Sequence, residues 1–380
     1  MLKKIFCIGK KHPIFVILTI AFLVRLMFSA FSNERGYEYE HFLYIEMPNA
    51  WIDNAEYQSD TYSYNKPKGI SLFYLSLNYA WIAVLKFLGI NSLTWLTFFS
   101  RLLHALLSLF VISFGYRITE LMSNKRTASM VAMTLAFLYI IPYSSIHNTP
   151  YFVCIAFLMY STLIILRQEI NRYGSKSVNV HRTSFLIAGF FLGLAFSICY
   201  SVIPYIVGII LTLMLCKNVK NALITLLGFL VSISIALVIP DLLVWGKPFT
   251  ELKAYIETIP QLTLSANQLW ISLTSIILFL LILIPPFSIM LLCGFFNKWK
   301  SKLLLFLPTL LSILYNILHY SEMSYMIPII PVFIILGTIG WKDIKDNSTF
   351  WQKNNVLHKI LIGFSIVINF VILLSMLMYK

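Results

Sequence analysis

The residues best suited to take part in a reaction follow the first apolar run of the chain. Glu38, Glu40 and His41 come soon after residue 31, and the apolar spacing from Glu40 to Trp51 predicts a short amphipathic helix. Beside a membrane helix, such a segment lies in the interface and holds a carboxylate at a fixed depth. A carboxylate within hydrogen-bond reach of a hydroxyl can act as its general base. We therefore single out Glu40, together with Glu38, as the candidate catalytic acids.

Four cationic side chains at three other places could stabilise a departing phosphate. Lys66 and Lys68 flank Pro67 in the same polar segment, Arg101 lies early in a later apolar run, and His319 ends another. Positive groups stabilise the charge that develops on a phosphate leaving group. For each lysine the alternative is a simple anchor at a membrane interface.

The composition requires a membrane to position these residues. The 380-residue chain is 59% hydrophobic and only 12% charged, with a mean hydropathy of +0.81. A soluble domain carries about twice that share of charge. The net charge of +14 fits basic cytoplasmic loops, and no basic stripe with interleaved aromatic residues favours nucleic acid. We therefore predict an all-α integral membrane protein.

Apolar runs predict about eleven transmembrane helices, each able to cross a hydrocarbon core about 30 Å thick. The predicted spans are 12–31, 93–116, 127–145, 149–167, 184–199, 201–216, 222–240, 269–293, 303–318, 326–340 and 360–379.

Two stretches leave the threading open. Residues 69–90 are apolar and could form another span. The basic loops that follow them all lie on the cytoplasmic side only if this stretch lies in the outer interface, which we favour. Residues 184–216 form either a hairpin of short helices or one long tilted span, and the downstream basic loops favour the hairpin. Arg25, inside the first run, can snorkel toward the outer surface.

This topology fixes the orientation of the chain in the membrane and divides the chain into two parts. The N-terminus lies in the cytoplasm, and most acidic residues lie on the outer face. A module of residues 1–240 contains the large outer loop 32–92, and the helices of residues 241–380 include the outer loop 241–268. The five cysteines form no CxxC pair, and the sequence predicts neither a disulfide framework nor a metal site.

The order of these elements resembles the GT-C superfamily of polytopic glycosyltransferases. Glu40–Tyr44 is similar to an Asp-Glu-x-x-Tyr motif of the lipid-A and protein O-mannosyl-type branch, with Glu for Asp and His for Glu. Lys66-Pro67-Lys68 is similar to the Lys-Pro-Pro element that follows in that branch. Phe87-Leu88-Gly89 and Arg101-Leu102 resemble its next two elements.

A second branch, the lipid-linked mannosyltransferases, gives an overlapping match. Its Asp-Glu-x-Phe-x-x-x-Glu motif resembles Tyr39–Phe42 followed by Glu46. Its Asp-x-x-x-Tyr-Gly element resembles Asp241–Gly246, and its late His-Lys-Glu-x-Arg-Phe-x-x-Pro element resembles the stretch 319–331. Both frames place Glu40 at an acidic position.

The resemblance implies an inverting transferase that moves a hexose or pentose, mannose included, from a polyprenyl-phosphate sugar to a lipid-linked or protein acceptor. Glu40 would be the general base. The site would lie on the outer, periplasmic face of a bacterial inner membrane and serve a cell-envelope glycan. Dependence on a divalent metal stays open. The residues that would bind substrate or phosphate are His41, Tyr44, Lys66, Lys68, Arg101, Asp241, His319 and Glu322.

Two other functions remain open at this point. A lipid-linked glycan flippase or polymerase would need cationic residues along a central cavity, and Arg101 alone stands out. A non-catalytic assembly subunit with a degenerate GT-C-like fold is consistent with the motif residues that this sequence lacks.

Overall fold

The computed structural model describes residues 13–32, 36–53, 66–173, 181–259, 266–319 and 323–378. Within these ranges all regular structure is helical and no strand occurs, which confirms the predicted all-α class. In the first half the helices are α1 (Pro13–Phe31), α2 (Glu38–His41), α3 (Met47–Ile52), α4 (Leu72–Phe87), α5 (Leu93–Met122), α6 (Lys125–Phe137), α7 (Ile140–Ile146), α8 (Pro150–Tyr173), α9 (Arg182–Ile198) and α10 (Ile203–Leu215).

The second half contains nine further α-helices. Five short segments of other helical types also occur along the described chain. These α-helices are α11 (Val219–Ile233), α12 (Ile239–Trp245), α13 (Thr250–Thr258), α14 (Ala266–Ile282), α15 (Phe287–Phe296), α16 (Leu303–His319), α17 (Ile330–Asn347), α18 (Thr349–Lys353) and α19 (Asn355–Met378). Two segments are π-helical, Phe42–Glu46 and Ser234–Val238, and three are 3₁₀-helical, Tyr200–Val202, Trp299–Lys302 and Met323–Ile329.

Nine predicted spans match helices or bent helix pairs that are long and apolar enough to cross a membrane. Seven are single stretches in the described residues: Pro13–Phe31, Leu93–Met122, Pro150–Arg172, Val219–Trp245, Trp299–Leu318, Ser324–Asn347 and Asn355–Leu377. Two more are pairs, Lys125–Phe137 with Ile140–Ile146, bent by 55°, and Thr274–Ile282 with Phe287–Phe296, bent by 110°. The chain is therefore a multi-pass membrane protein, and the count of eleven stays a prediction.

The other two predicted spans correspond to the short helices α9 and α10. At the C-terminal end of α8, Arg172 donates hydrogen bonds to the carbonyls of Cys216 and Lys217, both at 3.3 Å. At the opposite end of α8, Tyr151 lines the same cavity as Ile198. Both short helices therefore cover the depth of α8, in opposite directions. This arrangement supports two helices rather than one long tilted span.

Helix α4 has both ends beside the segments that lie near Glu40. At its start, the hydroxyl of Ser71 donates to the carbonyl of Ser197, close to the end of α9. At its end, the Lys86 ammonium lies 2.5 Å from the carboxylate of Asp53, which follows α3. With 16 residues, α4 is shorter than the roughly 20 residues that a membrane-spanning helix needs. The interfacial position of residues 69–90 stays a prediction.

Arg25 lies in the interior instead of snorkelling, so that expectation is wrong. The side chain is fully buried, and its Nε donates to the Ser108 hydroxyl at 2.5 Å. The guanidinium also donates to the carbonyls of Ala136 and Leu135, at 3.2 and 3.4 Å. These carbonyls lie in the last turn of α6, where the helix bends and its own hydrogen bonding stops. A cation there satisfies orphan acceptors and complements the negative end of the helix dipole.

Helices α9 and α11 are in close backbone contact because glycines face the partner helix. A Cβ atom built at Gly228 would lie only 2.1 Å from the carbonyl oxygen of Leu186 and 2.9 Å from the nitrogen of Phe190. Small residues at a helix interface allow this approach inside a membrane, where packing rather than the hydrophobic effect holds helices together.

We expect Gly228→Ala to lower the melting temperature in detergent, because the new methyl group forces the two helices apart. Overpacking of this kind costs about 1–3 kcal/mol. Gly363→Ala in α19 is the matched control, since nothing lies within 4 Å of its Cβ position. Equal melting temperatures for both variants would contradict the close helix contact.

Candidate active site

Glu40 lies at the junction of α2 and the π-helical segment Phe42–Glu46. The wider turn is visible in the backbone, where Met47 N donates to the carbonyl of Phe42, five residues earlier. Pro48 follows and has no N–H with which to continue the α-helical ladder. Single π turns inside helices frequently mark functional sites, because they rotate the preceding side chains relative to the following turn.

One cavity of about 340 Å³ has Glu40 in its wall, and we call it the first cavity. Its described lining is rich in phenols, and its charged members are Glu40 and Lys68. The lining residues are Tyr39, Glu40, Leu43, Tyr44, Lys68, Gly69, Ile70, Ser71, Pro150, Tyr151, Ile198, Cys199, Tyr200, Ser201, Tyr255, Thr258 and Tyr325. Hydroxyl and ammonium donors that converge on one space suit a ligand with many oxygen acceptors, such as a sugar or a phosphate.

A second cavity of about 600 Å³ shares part of its wall with the first. Its wall is more apolar and includes α7 and residues from α14 and α17. The lining residues are Gly36, Tyr37, Tyr39, Glu40, Ile140, Tyr143, Phe279, Ile282, Ser324, Met326, Ile327 and Ile330. Tyr39 and Glu40 belong to both linings. Glu40 therefore lies where a polar cavity meets a more apolar one.

Two phenols near Glu40 remain protonated over the physiological pH range. Burial raises the pKa of Tyr37 to about 12, and the charges of Tyr143 and Glu40 contribute to the rise. Burial also raises the pKa of Tyr44, and the neighbouring Tyr74 and Glu40 act in the same direction. Both tyrosines can therefore donate hydrogen bonds. Tyr37 donates to the Ser144 hydroxyl at 3.3 Å.

The loop that contains Lys68 is fixed by a carboxylate from a distant part of the sequence. Glu251, in the first turn of α13, accepts hydrogen bonds through Oε2 from the backbone N–H groups of Lys68, Gly69 and Ile70, at 3.0, 2.7 and 3.2 Å. Asp241 is buried, and its Oδ2 accepts a hydrogen bond from Glu251 N at 3.2 Å. Asp241, a predicted substrate ligand, is absent from the described linings of both cavities.

Of the ten predicted site residues, Glu40, Tyr44 and Lys68 line the first cavity. His41 is directed toward α5, with Nε2 3.1 Å from the hydroxyl of Thr97 and Nδ1 3.2 Å from the Glu46 carboxylate. Glu38 and Lys66 are exposed and belong to neither described lining. No observation tests the roles that the sequence assigns to them, and the cavity linings favour Glu40 and Lys68 instead.

The remaining predicted residues do not line either cavity in the described part of the chain. The Nη1 atom of Arg101 donates to the carbonyl of Ser32 at 2.6 Å, and the side chain is buried. His319 ends α16, and its side chain lies outside what the structure describes, as does the whole of Glu322. Among the described residues, no group of three or more His, Cys, Asp and Glu side chains could hold a metal ion.

Sequence reasoning missed Glu251 and most of the tyrosines. Glu251 counted only as one more acid of the outer loop 241–268, and its position in the first turn of a short amphipathic helix was the available signal. Tyr151, Tyr200 and Tyr255 come from three separate helical regions. Nothing in their local sequence indicates that the fold brings them to one cavity.

A family model of known proteins covers the part of the chain that contains most of the site residues. The family model described as the Alg9-like mannosyltransferase family matches residues 16–254, more than half of the chain. This range includes Glu40, Lys68, Asp241 and Glu251. No curated protein sequence matches the chain significantly.

Two solved structures share the fold. ArnT from Cupriavidus metallidurans, bound to undecaprenyl phosphate, aligns with a TM-score of 0.66 at 14% identity, over 95% of this chain and 63% of that one. The archaeal oligosaccharyltransferase AglB from Archaeoglobus fulgidus, in complex with an inhibitory peptide and a dolichol-phosphate, aligns with a TM-score of 0.54 at 14% identity, over 98% and 55%. This chain therefore has a GT-C fold and spans less than two thirds of either structure.

We expect Arg101→Met to lower the melting temperature, because the Ser32 carbonyl loses a charged donor at the end of α1. Loss of one such buried hydrogen bond costs about 1–3 kcal/mol. Arg117→Met is the matched control, since Arg117 is an exposed residue of the same helix. An unchanged melting temperature for Arg101→Met would contradict this structural role and favour direct binding of substrate.

Proposed function

Because this chain belongs to the Alg9-like mannosyltransferase family, we propose that it transfers a sugar from a polyprenyl-phosphate carrier to a hydroxyl group of a lipid-linked or protein acceptor. The chain has the GT-C fold of a polyprenyl-phosphate-associated glycosyltransferase. The family name favours mannose as the transferred sugar, among the hexoses and pentoses.

The proposal rests chiefly on the place of Glu40 between the two cavities. Inverting transfer needs the acceptor hydroxyl and the leaving phosphate on opposite faces of the anomeric carbon, with a base on the acceptor side. A carboxylate shared by two cavities can contact a molecule in one of them while the reacting sugar occupies the other. Glu40 is partly buried, so the base keeps access to a ligand without being fully solvated.

We assign the sugar phosphate of the donor to the first cavity. Lys68 supplies a cation in that lining, and Tyr44 supplies a protonated phenol. Ammonium and phenol donors stabilise the charge that develops on the phosphate oxygens as the glycosidic bond breaks. We assign the acceptor to the second cavity, whose apolar wall suits the hydrocarbon part of a lipid-linked acceptor.

The proposed reaction is a single displacement in which Glu40 takes the proton and the polyprenyl phosphate is the leaving group. The Glu40 carboxylate takes the proton of the acceptor hydroxyl, and the oxygen forms a bond to the anomeric carbon. The bond from that carbon to the phosphate oxygen breaks, and the polyprenyl phosphate leaves with the electron pair. Phosphate is a sufficiently good leaving group that no general acid is required. One displacement at one carbon inverts its configuration.

The cellular setting follows from the predicted threading. We propose that the N-terminus lies in the cytoplasm and that both cavities open to the outer, periplasmic face of a bacterial inner membrane. The basic residues Arg167, Arg172 and Arg182 lie at the ends of α8 and α9 that are remote from the two cavities, which agrees with this orientation. Basic loops of membrane proteins collect on the cytoplasmic side.

Glu40→Gln should abolish sugar transfer, because the amide cannot accept the acceptor proton. The measurement is transfer from a radiolabelled polyprenyl-phosphate mannose to lipid-linked acceptors by the purified protein. Loss of a general base lowers the rate by about 10²–10⁴-fold. Glu38→Gln, the same substitution at an exposed residue two positions earlier, should retain most of the activity.

Two outcomes of this experiment argue against the proposal. Full activity of Glu40→Gln would exclude Glu40 as the base, and activity lost only in Glu38→Gln would move the role to that residue. A wild-type protein that transfers no sugar from any polyprenyl-phosphate donor would favour the assembly-subunit or flippase alternative.

Lys68→Gln should weaken use of the donor more than Lys66→Gln, because only Lys68 lines the first cavity among these two lysines. We expect the KM for the polyprenyl-phosphate sugar to rise by about tenfold for Lys68→Gln, as for loss of one charge-assisted hydrogen bond. Equal effects of the two substitutions would indicate a general surface attraction rather than a specific contact.

A further inference from the structure

Glu251 is a completely buried carboxylate that contacts the site without lining it. Its relative exposure is 0%, and it is absent from the described linings of both cavities. Three backbone N–H groups donate to Oε2, and the indole Nε1 of Trp245 donates to Oε1 at 3.0 Å. A buried charge costs much free energy unless such donors compensate it. These four donors are groups that the fold holds in place, which argues for a positioning role.

The three N–H groups can converge on one oxygen because the loop curls at Gly69. Gly69 has φ +74°, a left-handed conformation that glycine adopts without strain. A Cβ atom on Gly69 would also lie 2.8 Å from the Cα and N atoms of Tyr255, one turn after Glu251 in the same helix. The loop is therefore held against α13 both by the carboxylate and by direct backbone contact.

Helix α13 is in turn fixed to the transmembrane part of the chain. Asp241, in α12, accepts the hydrogen bond of Glu251 N at 3.2 Å, near the positive end of the α13 dipole. Tyr255 lines the first cavity, and its ring centroid lies 5.1 Å from that of Tyr200. The same short helix thus contacts the lysine loop and contributes a wall of the cavity.

We propose that Glu251 is a positioning residue for sugar transfer, which fixes loop 68–71 so that Lys68 faces the donor phosphate in the first cavity. This inference rests on the proposed function. Glu251 acts through the backbone of Lys68 and takes no part in proton transfer. Without the carboxylate, the lysine side chain keeps its charge but loses a defined position in the first cavity.

The test combines kinetics with a readout that does not depend on activity. Glu251→Gln retains the size of the side chain but places an NH₂ group where an acceptor is needed. Glu257→Gln is the matched control, because Glu257 lies on the same helix with a side chain that is 68% exposed. Trp245→Phe is a milder second variant, since it removes only the indole donor to Oε1.

We expect Glu251→Gln to raise the KM for the polyprenyl-phosphate mannose about tenfold, with a smaller change in kcat, and Trp245→Phe to shift KM in the same direction by less. The double variant Glu251→Gln/Lys68→Gln should be no worse than Lys68→Gln alone, because both substitutions remove the same contact. Losses that multiply in the double variant, or normal kinetics of Glu251→Gln, would overturn the proposal.

Trypsin supplies the second readout. The Lys68–Gly69 bond should be cut faster in Glu251→Gln than in the wild type or Glu257→Gln, because the N–H of Gly69 is no longer held. Lys66 precedes a proline and resists cleavage, so the product identifies the site. Unchanged cleavage would overturn the positioning role itself. Faster cleavage in a protein that transfers no sugar would leave the clamp in place and remove the proposed function.

Discussion

The arrangement of the first cavity depends on one carboxylate that accepts hydrogen bonds from three consecutive backbone N–H groups. Lys68 and Glu251 are 183 residues apart in the chain, so this contact joins the first polar loop to the helix that follows the long span Val219–Trp245. One charged acceptor satisfies three donors of a half-buried turn. The contact also shapes the first cavity, because the loop supplies Lys68 and the helix supplies Tyr255 to its wall.

The acidic side chains near the site differ in whether their partners are fixed by the protein. Two acidic side chains near the site have fixed partners in the protein: Glu251 accepts from three backbone N–H groups and an indole, and Asp241 accepts from Glu251 N. Glu40 stands where two cavities meet and is only partly buried. A carboxylate whose partners are fixed serves the architecture, whereas one that faces a cavity can exchange partners with a ligand. This distinction is the physical basis on which we propose Glu40, and neither of the other two acids, for proton transfer.

The sequence was sufficient to predict those features that depend on local composition. Long apolar runs gave the helical class and most of the spans, since a helix in lipid must be apolar over about twenty residues. The acid after the first helix and the lysine-proline loop were also evident, and Glu40 and Lys68 do line one cavity. The partners of Glu251 could not be predicted, because backbone N–H groups exist at every non-proline residue and leave no mark in the sequence. Arg25 was misjudged for a similar reason, since its acceptors are carbonyls of a bent helix.

The π-helical turn at Phe42–Glu46 has a consequence for how this loop can evolve. Such a turn holds one residue more than the α-helix it interrupts, and therefore bears the geometry of a single-residue insertion. Deletion of one residue there would restore the regular helix and rotate Glu40 by about 100° relative to α3. Relatives that keep or lose this residue would present the same acid in different directions. Alignments of the loop therefore need a gap at this turn before the acidic positions of different branches can be compared.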